Sequence, residues 1–281
     1  MINKTMFLYP IIIVIISYVP VSAINLTTGS GDGDINIGSG SSTSTTGNLS
    51  TTGHFHDCFF NPVGSYYSGE DSIYDSLVIS SGDLTQYLTG SSEPSSFSSV
   101  SIDQAESFFS ALNLNFSLFQ IVEKVWNPET GERSGSYFRQ VYSISNPNEN
   151  QISFELIRYI DPDILGSVSD KAGLLPGHCN SQLVYMFKPT DPGGASNPTS
   201  FIGLQTFSPD ALDCSFDIGP YSNLKETIEV NGWDALDRDI SNYDSDGDNV
   251  LDNSADWTYA VGHQFKIDPH TSVTYENRTF F

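Results

Sequence analysis

The sequence predicts a mainly β protein, an antiparallel β-sandwich with one or two short helices. Three observations carry that expectation. Seven runs of six to eleven residues are rich in branched and aromatic side chains. Turn signals built from Pro, Gly and Asn separate them, and helical periodicity is scarce.

The elements follow in chain order. Ser101 is placed to cap an amphipathic helix, with Gln104 at the capping-box position and Ile102, Ala105, Phe108, Phe109 and Leu112 on one face. Phe116 to Trp126 reads as a strand ending in the turn Asn127-Pro128-Glu129-Thr130-Gly131. Ser136 to Ser145 follows, then the breaker Asn146-Pro147-Asn148-Glu149-Asn150. In Gln151 to Ile160, alternation puts Ile152, Phe154 and Leu156 on one face. These three runs are expected to form a meander, the last closing at Asp161-Pro162-Asp163. Further strands are expected at Leu183 to Lys188, Phe201 to Phe207, Trp257 to Lys266 and Ser272 to Phe280, with a brief helix at Ser222 to Glu229.

Ahead of these elements, residues 1–23 look like a secretory signal. Lys4 supplies the positive start, Phe7 to Ile16 is apolar, and Val21-Ser22-Ala23 is a small-residue cleavage pattern. The apolar stretch falls short of the ~20 residues that span a bilayer. The mature chain is therefore expected to be secreted, extracellular and without a membrane span after signal cleavage. Residues 24–53 are Ser, Thr, Gly and Asn with few large apolar groups, the composition of a disordered linker. Residues 54–281 are expected to form the β-sandwich domain.

An exported chain exposes two further kinds of site. Asn25, Asn48, Asn115 and Asn277 each begin an Asn-x-Ser/Thr triplet, the acceptor pattern of a glycoprotein. Of the cysteines Cys58, Cys179 and Cys214, the pair Cys179–Cys214 is the expected disulfide. That bridge closes a loop of ~35 residues and contributes roughly 3–4 kcal/mol. Cys58 is left buried or available for a link to another chain.

Charge narrows the partners. A net charge of −23, from 34 acidic and 11 basic residues, excludes nucleic acid, which is bound through clustered Lys and Arg. The acids crowd most closely from Asp244 to Asp256, five carboxylates in thirteen residues with no Lys or Arg among them. A cation at their centre would relieve the repulsion. Asp244, Asp246, Asp248 and Asp252 occupy positions 1, 3, 5 and 9 of a calcium loop, with the Val250 carbonyl at position 7. Asn249, at position 6, tolerates the left-handed backbone that position needs.

The stretch Asp-Ser-Asp-Gly-Asp-Asn-Val-Leu-Asp is similar to the calcium loops of thrombospondin type 3 repeats and dockerin modules, Asp-x-Asp-Gly-Asp-Gly-x-x-Asp. The resemblance covers residues 244–252 and implies a bound Ca2+ and nothing of the remaining fold. Two departures stand out: Asn249 replaces Gly, and Ala255 takes the place of the twelfth-position acid, with Asp256 one residue late. Either Asp256 reaches in, or water and a distant carboxylate such as one from Asp161-Pro162-Asp163 complete the shell. An ion there would order the two last strands as a final hairpin.

Other constellations are weaker. His54-Phe55-His56-Asp57-Cys58 offers metal ligands on alternate residues, but a closed zinc site needs four, and His178, His263 and His270 are scattered singly. No nucleophile elbow, zinc-protease, phosphate-loop or dinucleotide motif is present. Tyr66, Tyr67, Trp126, Trp233 and Trp257 are candidates for stacking on sugar rings, against the ordinary role of core packing. The expected function is that of a non-catalytic, calcium-binding extracellular module that binds a protein or glycan or serves structurally, as in a surface coat. A secreted, glycan-directed hydrolase using a carboxylate pair is the alternative from another class.

Overall fold

A computed structural model describes residues 103–131, 133–162, 169–177, 182–187 and 201–280, with Ile164 and the stretches 26–27, 34–37, 58–61, 73–81, 84–88 and 96–101. Two antiparallel sheets pack face to face as a β-sandwich.

The strands are β1 (Leu26–Thr27), β2 (Asp34–Ile37), β3 (Cys58–Asn61), β4 (Ile73–Ser81), β5 (Leu84–Leu88), β6 (Ser96–Ser99), β7 (Gln104–Ala111) and β8 (Leu114–Trp126). There follow β9 (Arg133–Ser145), β10 (Ile152–Pro162), β11 (Lys171–Leu175), β12 (Leu183–Phe187), β13 (Phe201–Phe207) and β14 (Asp213–Pro220). Helix α1 (Tyr221–Asn231) and a 3-10 turn (Gly232–Ala235) precede β15 (Trp257–Ile267) and β16 (Ser272–Phe280). One sheet runs β11-β12-β13-β16-β9-β8-β7-β6 and the other β14-β15-β10-β4-β5, while β1-β2-β3 form a small third sheet.

All seven expected strands are present, with ends that shift by two to three residues at most. Alternation explains them: in β8 Phe116, Leu118 and Val122 face the core, and in β9 Phe138, Tyr142 and Ile144 do the same. The helix expected near Ser222 is α1. Its Leu224 and Ile228 cover Ile157, Tyr159 and Ala260 on the outer face of the five-stranded sheet.

Four expectations are corrected. The segment expected as an amphipathic helix from Ser101 is strand β7. Ala105, Ser107, Phe109 and Ala111 point inward and Phe108 outward, a period of two that the apolar spacing also fits as three-to-four. Leu112 and Asn113, at φ 48° and 62°, make the two-residue turn into β8. Second, β10 does not extend a meander from β8 and β9. It crosses to the other sheet and pairs with β4 and β15. Buried Asn146 holds that crossing, its side-chain amide donating to the carbonyls of Asn150 (2.8 Å) and Ile267 (3.2 Å). Third, the last two strands are no hairpin: β15 lies between β14 and β10, and β16 between β13 and β9 in the opposite sheet. Fourth, the linker span contains β1 and β2, and Leu26 is fully buried beside Ala105, Val122 and Phe138. A composition averaged over thirty residues hides the few apolar side chains that dock.

Residues 1–23, Asn25, Asn48, His54, His56, Tyr66, Tyr67, His178 and Cys179 lie outside the described residues. Asn115 is exposed, as a glycan acceptor requires. Asn277 is not: it is 0 % exposed on the inner face of β16, where a glycan has no room, so this triplet is no acceptor in the folded chain.

Candidate metal site

The acidic loop is held by apolar anchors at both ends. Ile240 and Leu251 are buried in the core, and Tyr243 packs edge-on against Trp257 with ring centroids 4.9 Å apart. The Asp252 N–H donates to the Tyr243 carbonyl at 2.8 Å, closing the loop across its neck. Trp257 donates its indole N–H to the Asn253 carbonyl at 3.0 Å.

Within the loop the carboxylates first organise the backbone. Asp244 accepts from the N–H of Gly247 and of Asn249, one on each oxygen, both at 2.8 Å. Asp252 accepts from Ser245 twice, from its N–H at 2.9 Å and its hydroxyl at 2.6 Å. The Ser245 hydroxyl, then its N–H, hold the Asp252 carboxyl below its ordinary pKa. Burial raises that of Asp256. Gly247 (φ 77°) and Asn249 (φ 66°) take the left-handed backbone, the latter as the loop count requires.

One oxygen each from Asp244, Asp246 and Asp252 lies within 4.8 Å of the other two. Calcium–oxygen distances of about 2.3–2.6 Å place opposed ligands about 5 Å apart, so one ion of that size reaches all three. Positions 1, 3 and 9 thus converge. Position 5 does not join them: the Asp248 carboxylate turns back to accept from the Val250 N–H at 2.8 Å. Asp256 and Asp161 are also outside the convergent group, and Asp163 is not described.

The loop is docked on the edge of the eight-stranded sheet. Leu174 donates its N–H to the Asn249 carbonyl (2.8 Å) and Leu251 to that of Ala172 (2.9 Å), while Asp170 and Ala255 exchange bonds at 3.0 and 3.1 Å. These bridges leave Val250 with its N–H on the loop side, bonded to Asp248 rather than to β11. The close approach depends on Gly173. A Cβ there would sit 2.6 Å from the Tyr185 ring and 3.0 Å from the Asn249 carbonyl. Burial and then the Asp248 charge raise the pKa of that tyrosine.

The remaining candidates separate. Cys214 is buried on β14 and disulfide-bonded, and the side chains of Cys58 and Cys179 lie outside the described residues. Trp257 is core, Trp233 packs under α1, and Trp126 is 57 % exposed at the end of β8. His263 is fully buried, and His270 is a surface residue 3.3 Å from Glu149.

Two features had no sequence signal. Asp217 on β14 is pushed up to about 7 by burial, and next by the Asp237 charge. On the outer face of the eight-stranded sheet, Arg139 and Arg278 stand opposite each other and both bond Glu276, at 2.8 and 2.6 Å. Arg278 lies over the Tyr137 ring, itself 5.7 Å from that of Phe280. Compared with models of known families and with curated proteins, the chain matches none. Among the described residues no helix is long and apolar enough to cross a membrane.

Proposed function

We propose that the protein is a secreted, non-catalytic β-sandwich module in which Ca2+, held by Asp244, Asp246 and Asp252, fixes the acidic loop against β11. The convergence of three carboxylate oxygens in a loop already curved by its own hydrogen bonds carries this reading. The similarity of residues 244–252 to thrombospondin type 3 and dockerin loops supports the choice of calcium. Two of the three acids are exposed, which fits an extracellular-grade dissociation constant on the order of 10⁻⁴ to 10⁻³ M. Water, and the Val250 carbonyl expected at position 7, would complete the shell. The bridge between Cys179 and Cys214 and glycans on Asn25, Asn48 and Asn115 belong to the same extracellular proposal.

As a module it would bind an extracellular protein or glycan. The half-buried, outward-facing platform of Tyr137, Phe280, Arg139 and Arg278 supports this, since aromatic faces and guanidinium groups serve such surfaces. Isothermal titration of the calcium-stripped protein tests the metal reading. One site per chain is expected, lost in Asp246→Asn; heat that persists unchanged in that variant would place calcium elsewhere.

A hydrolase is the second reading, and Asp217 is the observation that favours it. A carboxyl protonated near neutral pH beside the Asp237 charge has the character of a general acid. Release of reducing sugar from a glycan panel, abolished in Asp217→Asn, would establish it.

A further inference from the structure

The sandwich core is not continuous. One apolar cluster gathers around Phe138, Ile160, Ile218 and Val261, another around Phe116, Ile144, Phe154 and Phe265, and a polar layer lies between them. On the eight-stranded sheet that layer is a single register row. Thr206 of β13 stands opposite Asn277 of β16, Asn277 opposite Gln140 of β9, and Gln140 opposite Gln120 of β8. The facing sheet contributes Arg158 from β10 and His263 from β15, each at an inward position flanked by apolar ones. All six side chains are at most 1 % exposed.

Half of this layer bonds within the protein. The Gln140 amide donates to the Gln120 carbonyl oxygen at 2.9 Å, and the Arg158 guanidinium donates to Gln140 at 3.1 Å and to the Tyr142 hydroxyl at 3.4 Å. The other half is different. The amide nitrogen and oxygen of Asn277, the Thr206 hydroxyl and both ring nitrogens of His263 are buried with no protein partner, as is the hydroxyl of Thr279 beside the layer. Buried polar groups in native proteins are almost always bonded. Leaving six such atoms bare would forfeit free energy comparable to the whole stability of a domain. Something else must meet them.

We propose that ordered water fills this end of the layer, a small cluster held between Asn277, Thr206, Thr279 and His263 that bridges the two sheets. The donor set selects a neutral occupant. Asn277 presents a donor and an acceptor, the hydroxyls present both, and burial keeps His263 uncharged with its pKa lowered to about 4. An anion would leave the Asn277 oxygen unmet, and a cation the amide hydrogens. Thr206 and Asn277 are direct cross-strand neighbours, Thr279 is two residues along the same face, and β13 and β15 approach each other across the interface. The His263 ring rests on Tyr275, the neighbour of Asn277 on that face, at 5.4 Å between centroids. A buried site with two to four polar partners per molecule is where structural water is retained.

Water–protein Overhauser spectroscopy on the intact chain is the test, read at the carbon-bound protons of Asn277 and His263 so that proton exchange cannot mimic contact. Cross-peaks with the sign of a long-lived complex are expected; their absence at both residues would overturn the assignment. Thermal unfolding gives an independent reading. With water in place, Asn277→Leu is expected to lower the melting temperature by several degrees, whereas a rise shows a dry, strained layer and contradicts the proposal. If Asn277→Leu does not fold, Thr206→Val removes one hydroxyl at nearly constant shape. A fall in its melting temperature supports the cluster, and an unchanged or higher value refutes it.

Discussion

Asp244 and Asp252 each bond the backbone of their own loop, so their loss should damage more than charge, whereas Asp246 holds only the Asp248 N–H at 3.2 Å. Asp246→Asn is therefore the cleaner probe of the metal. It is expected to weaken calcium binding about tenfold or more with little change in calcium-free stability, as measured by titration calorimetry and thermal melts. Asp244→Asn should lower both. Spacing made positions 1, 3 and 9 legible, because alternate carboxylates in a tight turn point inward. Asp248 was not legible, because its bond to the Val250 N–H competes with the ion for its orientation. Asp217 carries a separate expectation. Its folded pKa, about 7, lies above its ordinary 3.8, so the protonated form favours the fold. The penalty is absent below about pH 4, grows as pH rises, and is complete above about 7. Asp217→Asn is expected to stabilise by on the order of 2 kcal/mol at pH 8, allowing for partial solvent screening, and to be neutral at pH 4. Denaturant unfolding at the two pH values measures the difference.

At the level of elements, the docking of the acidic loop on β11 turns on one missing side chain. Gly173→Val places atoms where the Tyr185 ring and the Asn249 carbonyl already sit. The variant is expected to lose roughly 1–3 kcal/mol by overpacking. Hydrogen exchange should quicken at the N–H groups of Leu174 and Leu251, which bond across that junction. Unchanged exchange there would mean the loop is held by Leu251 and Ile240 alone. This junction was invisible in the sequence because it joins residues about 75 positions apart. The strands after Phe116 were legible because branched and aromatic residues mark them. The earlier ones are mostly short and interspersed with Ser and Thr, and β7 fits two periods at once. The path of β10 was not legible either: an Asn-Pro-Asn breaker permits a hairpin or a crossing, and the buried Asn146 amide decides it.

At the scale of the molecule, the sandwich couples two polar features to an otherwise apolar core. The buried layer was not legible because polar and charged side chains such as Gln120, Gln140, Arg158, His263 and Asn277 are ordinarily expected on the solvent face of a strand. Here they face inward. His263 makes that layer pH-sensitive. Its pKa is depressed from 6.5 to about 4, so its contribution is intact above about 6.5 and is lost as pH falls toward 4. His263→Gln should flatten that acid limb of the stability curve, with Asp217 acting in the opposite sense over the same range. The acidic loop joins both sheets, through β11 in one and through Trp257 at the start of β15 in the other. Its ordering therefore bears on the whole fold. The most direct measurement is the melting temperature of the intact chain in EGTA and in about 10 mM calcium. At the affinity proposed, the ion contributes about 1.4–2.7 kcal/mol and raises the midpoint by roughly 3–10 °C, an increment cut by about 1 kcal/mol or more in Asp246→Asn. A midpoint identical in chelator and in calcium would contradict it.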